Sequence, residues 1–423
     1  MAAFAAPRGT RDLLSPGIAR WQEMESAARR VFGAACFQEI RTPVFESTEL
    51  FERGVGDATD IVGKEMYTFE SRSGKRLTLR PENTAGVARA FLEHGMRGRL
   101  PMPHKLWYAG PMFRYERPQK GRQRQFHQLG VEILDTASPM ADAEAVLVAC
   151  EFLREVGLSD LVVEVNSLGD GEDRVRYREA LVEFLRSVAD RLDEDSVGRI
   201  ETNPLRVLDS KNRETRKALE GAPSILDFLG EDSAEHFAAV KEQLDALGIA
   251  YRVVPTLVRG LDYYSRTTFE IQAEGLGAQS TVCGGGRYDG LVEALGGPPV
   301  SAVGWALGLE RLAMVLDAAK GEPSPEGPTA FLVAIGDEAR SDTHLLARDL
   351  RRKGVRAEVS FSGAGIGRQM KAADRRGSRF VVLIGGEEAT RHAVAVKELE
   401  TGEQREVPLS ELADSLGPEG GGQ

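Results

Sequence analysis

The chain has 423 residues, 42% hydrophobic and 28% charged, with a formal net charge of −11 and a pI of about 5.3. At roughly 100–200 residues per domain this is a chain of two to four domains, with room for a deep site. The acidic balance argues against a protein coated with nucleic acid, though local basic patches can still bind phosphate. No run approaches the roughly 20 apolar residues of a membrane span, and the opening MAAFAAPRGTRD lacks the apolar stretch of a signal peptide. Cys36, Cys150 and Cys283 are far apart and suggest neither a disulfide framework nor zinc. A reducing cytoplasmic compartment without membrane attachment is expected.

In chain order, SPGIARWQEMESAARRVFG predicts a helix. Ser15 can cap it, Pro16 suits its first position, Ile18, Trp21, Ala28 and Val31 recur at helical spacing, and Gly33 is a stop. EIRTPVFES reads as a strand with Pro43 inside it; proline cannot donate to a ladder, so this is an edge, a bulge or an interface. LRPENTAG sets Glu82, Asn83 and Thr84 beside a helix start, which alone is a capping turn. LWYAGPMFRYE and RQFHQLGVEIL then flank the polar loop RPQKGRQ, an antiparallel hairpin over about 106–134. Its tip, Arg114 to Arg124, holds five basic residues and one acid. LVVEVNSLGD is a further strand. Residues from about 170 to 248 turn helical and highly charged, and read as an inserted helical subdomain.

TLVRGLDYYSRTTFEIQAEG and STVCGGGRYDG return to strand-like and glycine-rich sequence. The second could cradle a phosphate, but it lacks the lysine and spacing of a P-loop and alone reads as a tight turn. SAVGWALGLERLAMVLDAAK predicts one apolar helix, with Leu309, Leu312, Ala313 and Leu316 on one face. Arg311 lies in its middle. A buried arginine is costly unless paired, so a ligand or a carboxylate should meet it. GEPSPEGP (321–328) is the clearest linker. Beyond it strand and helix alternate as a compact α/β domain over about 329–415, followed by a flexible tail, 416–423. This domain carries a second basic run: Arg368, Lys371, Arg375, Arg376 and Arg379.

Alternate side chains of a strand share a face. In the second arm of the hairpin His127, Leu129, Val131 and Ile133 form a mostly apolar face that should pack on a helix. Phe126, Gln128, Gly130 and Glu132 form the other. With Tyr108, Gly110, Arg114 and Glu116 of matching parity in the first arm, one sheet surface offers an arginine, aromatic rings, an amide and a carboxylate. That set can hold an anion, a base and a small polar ligand; the plain alternative is a solvated sheet face. Arg259 beside two tyrosines in RGLDYYSRT has an equally plain alternative, a strand end with half-buried tyrosines.

Together these segments resemble class II aminoacyl-tRNA synthetases, and specifically the histidyl-tRNA synthetase family, over nearly the whole chain and in the expected order. PRGTRDLLSP matches the family's opening. IRTPVFEST looks like motif 1, MFRYERPQKGRQRQFHQLGVEI like motif 2 and VGWALGLERLAM like motif 3. RGLDYYSRTTFEI and CGGGRYDG are similar to the histidine-specific elements. Motifs 1 and 3 are weakly specific, whereas RPQKGRQRQFHQLG and RGLDYYSRT are strong.

The resemblance implies an α+β catalytic domain over 1–320, an antiparallel sheet flanked by helices with the helical insertion, and a C-terminal α/β anticodon-binding domain. It implies a homodimer joined through motif 1, with ATP, L-histidine and tRNA(His) as substrates, and Mg²⁺ bound mainly through ATP phosphates rather than by a protein cage. Arg114 and Arg259 would hold the α-phosphate and the reacting carboxylate, and Phe126 and Arg311 would sandwich adenine. Arg122 and Glu116 would position triphosphate and adenine. Glu82, Thr84 and Gln128 would bind the amino group. Glu132 and Tyr264 would meet the imidazole nitrogens beside Tyr263, and Gln119 would contact the tRNA acceptor end. The basic helix at 367–379 would serve the anticodon domain. Where family members often have glycine this chain has Asn83; asparagine tolerates unusual backbone angles, so little change is expected.

A non-catalytic relative of the family, the regulatory subunit of ATP phosphoribosyltransferase, would be a histidine-sensing partner. It lacks the C-terminal domain, and a sensor has no need of Arg259, Arg311 and a full motif 2 loop. A tRNA-binding scaffold with a dead site is opposed by Arg114, Glu132 and Arg259. Specificity for another amino acid turns on whether Glu132 and Tyr264 meet an imidazole.

Overall fold

The computed structural model describes residues 4–56, 59, 61–99, 101–119, 121–259, 261–273, 281–325, 327–386 and 391–417. Lys120 of the basic tip, Gly260 of RGLDYY and the tail from 418 on lie outside these. The chain divides into two compact units, Met1–Glu322 and Pro323–Gln423.

The strands of the first unit are β1 Gln38–Glu39, β2 Phe45–Ser47, β3 Tyr67–Glu70, β4 Arg76–Leu79, β5 His104–Phe113, β6 Gln125–Leu134, β7 Leu161–Ser167, β8 Tyr251–Val253, β9 Ser265–Ala273, β10 Thr281–Arg287 and β11 Ala302–Gly308. Eight of them form one sheet in the order β1-β5-β6-β11-β10-β9-β7-β8. From β5 to β7 every pairing is antiparallel; only the edge strands β1 and β8 pair in parallel. β2, β4 and β3 make a separate three-stranded sheet.

The alternation read in the hairpin holds. Leu129, Val131 and Ile133 are buried in the main core, among residues of helices Gly17–Ala34, Pro139–Glu155 and Leu309–Lys320. Full burial of each such side chain contributes roughly 1.5–3 kcal/mol. Trp305 of β11 anchors this layer, its indole N–H donating to Ala145 O at 2.8 Å.

Several expectations are corrected. Helix Gly17–Ala34 has no side-chain cap from Ser15 and runs through Gly33; it ends at Ala34, and the chain turns away at Cys36, whose φ is +60°. EIRTPVFES is not one strand: Pro43 separates β1 and β2, which belong to different sheets. CGGG is not a turn but the middle of β10. SAVGWALG is strand β11, and the helix begins only at Leu309. A short apolar run looks the same as buried strand or buried helix, and that ambiguity produced the error. Leu309, Leu312, Ala313 and Leu316 are buried as expected.

Within the helical stretch, helix Gly171–Ser187 starts at a capping box of Asp170 and Asp173. Its Tyr177, Leu181 and Leu185 pack with Ile200, Val207 and Ile225, and with Val258 and Tyr264 of the RGLDYY segment. Helix Glu231–Ala246 instead joins the main core through Phe237, Val240 and Leu244. The part of the stretch with a core of its own therefore ends near Phe228.

The second unit has strands β12 Ala330–Ala334, β13 Ala357–Val359, β14 Phe380–Ile384, β15 Ala393–Glu398 and β16 Gln404–Pro408. Their order is β13-β12-β14-β15-β16, the first three parallel and the rest antiparallel. Leu332 and Val382 face one core with Ala347 and Leu350; Phe331, Val333 and Val381 face another with Ala373. Helices Arg340–Arg352 and Ile366–Arg375 thus cover opposite faces, as a parallel sheet requires.

Candidate functional site

The hairpin register sets Tyr108 opposite Gly130, Gly110 opposite Gln128 and Met112 opposite Phe126, so the even-numbered face is continuous across both arms. Glycine opens space on it. A Cβ at Gly130 would lie 2.5 Å from the Tyr108 hydroxyl, and one at Gly304 of β11 would collide with the Glu132 carboxylate. Tyr108 can therefore lie across β6 and reach Glu132.

Glu132 is 1% exposed. Its Oε1 accepts from Thr84 Oγ1 at 2.7 Å and the Tyr108 hydroxyl at 3.3 Å, and its Oε2 accepts from the Tyr288 hydroxyl at 2.5 Å. Burial pushes its carboxyl up to about 8 against the downward pull of Tyr288 and Thr84. Thr84 opens helix Thr84–Glu93. Glu82 caps that helix, accepting from Thr84 N at 2.7 Å and Ala85 N at 3.0 Å. Burial raises Glu82 above the ordinary carboxylate range, and the two backbone bonds oppose it.

Asn83 is held differently from what was expected. Its φ of −119° and ψ of −10° are ordinary. Its Oδ1 accepts from Thr42 Oγ1 at 2.5 Å and Arg80 Nη1 at 3.3 Å. A side-chain network behind the site accommodates the residue, not an unusual backbone.

Tyr263 and Tyr264 pack with ring centroids 4.7 Å apart and planes tilted by 52°, and Tyr263 meets Tyr288 edge-on at 5.7 Å. Arg259 lies 5.9 Å from the Tyr264 ring and pairs with Glu270, whose other oxygen accepts from Thr281 Oγ1 at 3.1 Å. The glycine run explains how Arg259 fits, since a Cβ at Gly284 would come within 2.5 Å of its guanidinium. Arg114 lies 5.2 Å over the Phe126 ring, with its Nε donating to Pro81 O at 2.9 Å. Its remaining N–H groups have no partner among the described residues. Gln128 Oε1 is buried without a partner. Such orphan groups point to a ligand or to water.

Glu116 pairs with Arg122 at 3.3 Å. Gln119 is exposed, and its backbone bridges to that of Arg122. Arg311 is half-buried; of the two partners expected, a ligand or a carboxylate, no carboxylate pairs with it among the described residues. Arg114, and not Arg311, stacks on Phe126.

A family model described as histidyl-tRNA synthetase matches residues 9–312, and one described as anticodon binding domain matches residues 329–417. The histidine–tRNA ligase of Picosynechococcus sp. is 51% identical over 98% of this chain and 97% of its own length. That of Synechococcus elongatus is 52% identical over 97% and 94%. The chain belongs to the histidyl-tRNA synthetase family. The crystal structure of apo S. aureus histidyl-tRNA synthetase is 37% identical, with a TM-score of 0.81 over 98% of this chain and 99% of that one.

Sequence reading of this synthetase chain set Tyr108 on the site face without linking it to Glu132, and missed other residues that hold the site. Tyr108 and Tyr288 grip Glu132. Glu310 fixes the hairpin to the motif 3 helix by accepting from His127 N at 2.9 Å. Gly9, at φ +87°, lies against the Arg124 side chain and accepts from Arg124 N at 2.8 Å. Parity placed Tyr108 on the face it occupies; Tyr288 and Gly9 come from distant segments that no local pattern links to the hairpin.

Proposed function

We propose that the chain activates L-histidine with ATP to histidyl-adenylate and then transfers the histidyl group to the 3′ end of tRNA(His). The observation that carries the residue assignment is the buried Glu132 carboxyl held by Thr84, Tyr108 and Tyr288 at the inner end of a face whose outer end holds Phe126 and Arg114. Glu132 and Tyr264 take the two imidazole nitrogens, and Tyr263 lines the pocket. A site that bonds both nitrogens rejects an apolar isostere by about 10⁴-fold, because its polar groups would otherwise stay unpaired. Glu82, Thr84 and Gln128 take the ammonium group; the orphan Gln128 oxygen supports this.

Arg114 and Arg259 neutralise the reacting carboxylate and the α-phosphate. Adenine lies with Phe126 and Arg311, and Arg122 and Glu116 position the triphosphate and the base. The histidine carboxylate attacks the α-phosphorus and pyrophosphate leaves. The terminal ribose hydroxyl of the tRNA, near Gln119, then attacks the carbonyl carbon and AMP leaves. Positioning and charge stabilisation supply the rate. Mg²⁺ would arrive on the ATP phosphates; the described residues hold no cluster of three or more metal-ligating side chains.

The same reading makes the chain a cytoplasmic homodimer. Val44, Phe45 and Phe69, on and beside the three-stranded sheet, are 38%, 52% and 44% exposed, an apolar patch that a second copy would cover. No helix of the described residues is long and apolar enough to cross a membrane. Amino-acid-dependent ATP–pyrophosphate exchange with all twenty amino acids tests the activation step: exchange with histidine alone is expected, and its absence sinks the reading. Light scattering at micromolar concentration tests the dimer, which a monomeric mass would refute.

A further inference from the structure

The string RGLDYYSRT holds two arginines, and the proposed chemistry uses only Arg259. Arg266, the second, sits where β9 slips against β10. Gly286 lies opposite Thr268, but the next residue, Arg287, lies opposite Ser265. Arg266 and Thr267 therefore form a bulge, a device that re-aims a side chain. The φ of Arg266 is +49°, left-handed and disfavoured for a residue with a Cβ. Two backbone bonds hold it there: its own N–H donates to Gly169 O at 2.7 Å, and its carbonyl accepts from Leu168 N at 2.6 Å.

Arg266 lines a cavity of about 530 Å³ in the catalytic unit, within the roughly 300–1,000 Å³ typical of ligand pockets. Arg174, in the first turn of helix Gly171–Ser187, lines it as well, and Val55, Leu291 and Tyr263 give it an apolar wall. Both arginines are half-buried. Arg174 donates Nη1 to Tyr264 O at 2.7 Å and makes no ion pair among the described residues; Arg266 has no side-chain partner among them. The other charges at the cavity are engaged. Arg53 pairs with Glu49, Asp170 caps its helix, and Asp289 accepts from Arg287 at 3.1 Å and from Ala302 N at 3.1 Å. Asp262 is held loosely: it accepts from Asn203 Nδ2 at 3.5 Å and lies in the field of Arg174 without pairing with it. Two open guanidinium groups against one carboxylate leave a cationic cavity with an apolar wall. Arginine forks suit carboxylate and phosphate.

We propose that this cavity is an effector site for a small organic anion, whose phosphate or carboxylate group bridges Arg174 and Arg266 and whose apolar body lies on Val55, Leu291 and Tyr263. The anion also sets the histidine pocket, because Tyr263 lines the cavity and Arg174 carries the Tyr264 carbonyl. Fixing these two tyrosines tightens L-histidine, and by linkage L-histidine tightens the anion by the same factor. This coupling rests on the reading of Tyr263 and Tyr264 as histidine contacts; the anion site itself does not.

The test is calorimetric titration of phenyl phosphate and of benzoate into the full chain as wild type, Arg259→Ala, Arg266→Asn and Arg174→Gln. Asparagine tolerates the left-handed backbone at position 266, and Arg174→Gln leaves the bulge untouched, so a loss shared by both is not a folding defect. One probe at least should bind the wild type and Arg259→Ala alike, and bind Arg266→Asn and Arg174→Gln about 10- to 100-fold more weakly. The tighter probe identifies the anion as a phosphate ester or a carboxylate. With that probe saturating, L-histidine should bind the wild type at least about fivefold more tightly and gain nothing in Arg266→Asn. No binding of either probe overturns the proposal. So does equal binding by wild type and Arg266→Asn, or a loss confined to Arg259→Ala, which would put the anion on the catalytic arginines. A bound probe that leaves L-histidine affinity unchanged overturns the effector role. Failure of the ligase reading looks different: the wild type would bind no L-histidine, with the probe titrations unaffected.

Discussion

At the carboxyl end of β10, Arg287 is fully buried and its guanidinium is completely engaged. It bonds Asp142 through Nε at 3.2 Å and also through Nη2, reaches Thr136 O at 2.9 Å and Ser138 O at 3.2 Å, and pairs with Asp289 at 3.1 Å. Elsewhere in the same unit Arg114, just past β5, and Arg311, in helix Leu309–Lys320, are half-buried and keep donors that nothing in the described residues takes up. Arg259 stands between these cases, paired with Glu270 while its Nε is buried without a partner. A closed network around a buried charge belongs to the scaffold, since removing one partner strands the other. An open one is stability forgone for a ligand. The contrast separates arginines that local sequence does not.

The sharpest break should come from the closed network. Arg287→Ala leaves buried Asp142 with only His236 Nε2, at 3.5 Å, beside it among the described residues and should cost about 3–5 kcal/mol, seen as a lower midpoint in urea unfolding. Arg259→Ala should do the opposite: adenylate formation falls about 10²–10³-fold, the loss expected for one preorganised charge, while the unfolding midpoint barely moves. Intact pyrophosphate exchange in this variant would remove Arg259 from the chemistry.

Next comes the pH dependence of Glu132. Its folded-state carboxyl titrates at about 8, above its ordinary value of 4.5. Between these limits the folded chain holds a proton that the unfolded chain has released. Its contribution to stability is therefore complete below about pH 4.5 and is lost as pH rises through 8. Glu132→Gln should flatten this fall in unfolding free energy; an unchanged pH profile would contradict the raised carboxyl. The smallest effect is at Arg311. Arg311→Leu should raise stability by about 0.5–1 kcal/mol while weakening ATP about tenfold; lost stability with unchanged ATP binding would make Arg311 part of the scaffold.

Much of this was legible in the sequence because strand parity is strict. The apolar face of β6 packs inward and the polar face carries Glu132, Gln128 and Phe126, as alternation requires. The alternating C-terminal elements and the face of the motif 3 helix were equally readable. Where periodicity was ambiguous, reading failed: SAVGWALG as helix and CGGG as turn are both central strands, whose glycines make room for neighbouring side chains rather than bend the chain. The part of the site assembled from distant segments, Tyr288 on Glu132, depends on sheet order, which no local pattern encodes.

The central claim is that the Glu132 pocket is an imidazole site. Calorimetric titration of L-histidine into the wild type and Glu132→Gln, without ATP, tests it most directly. The account predicts binding to the wild type and roughly 100-fold weaker binding to the variant, the loss expected when one buried hydrogen-bonded partner is changed. Equal affinity for both would contradict it.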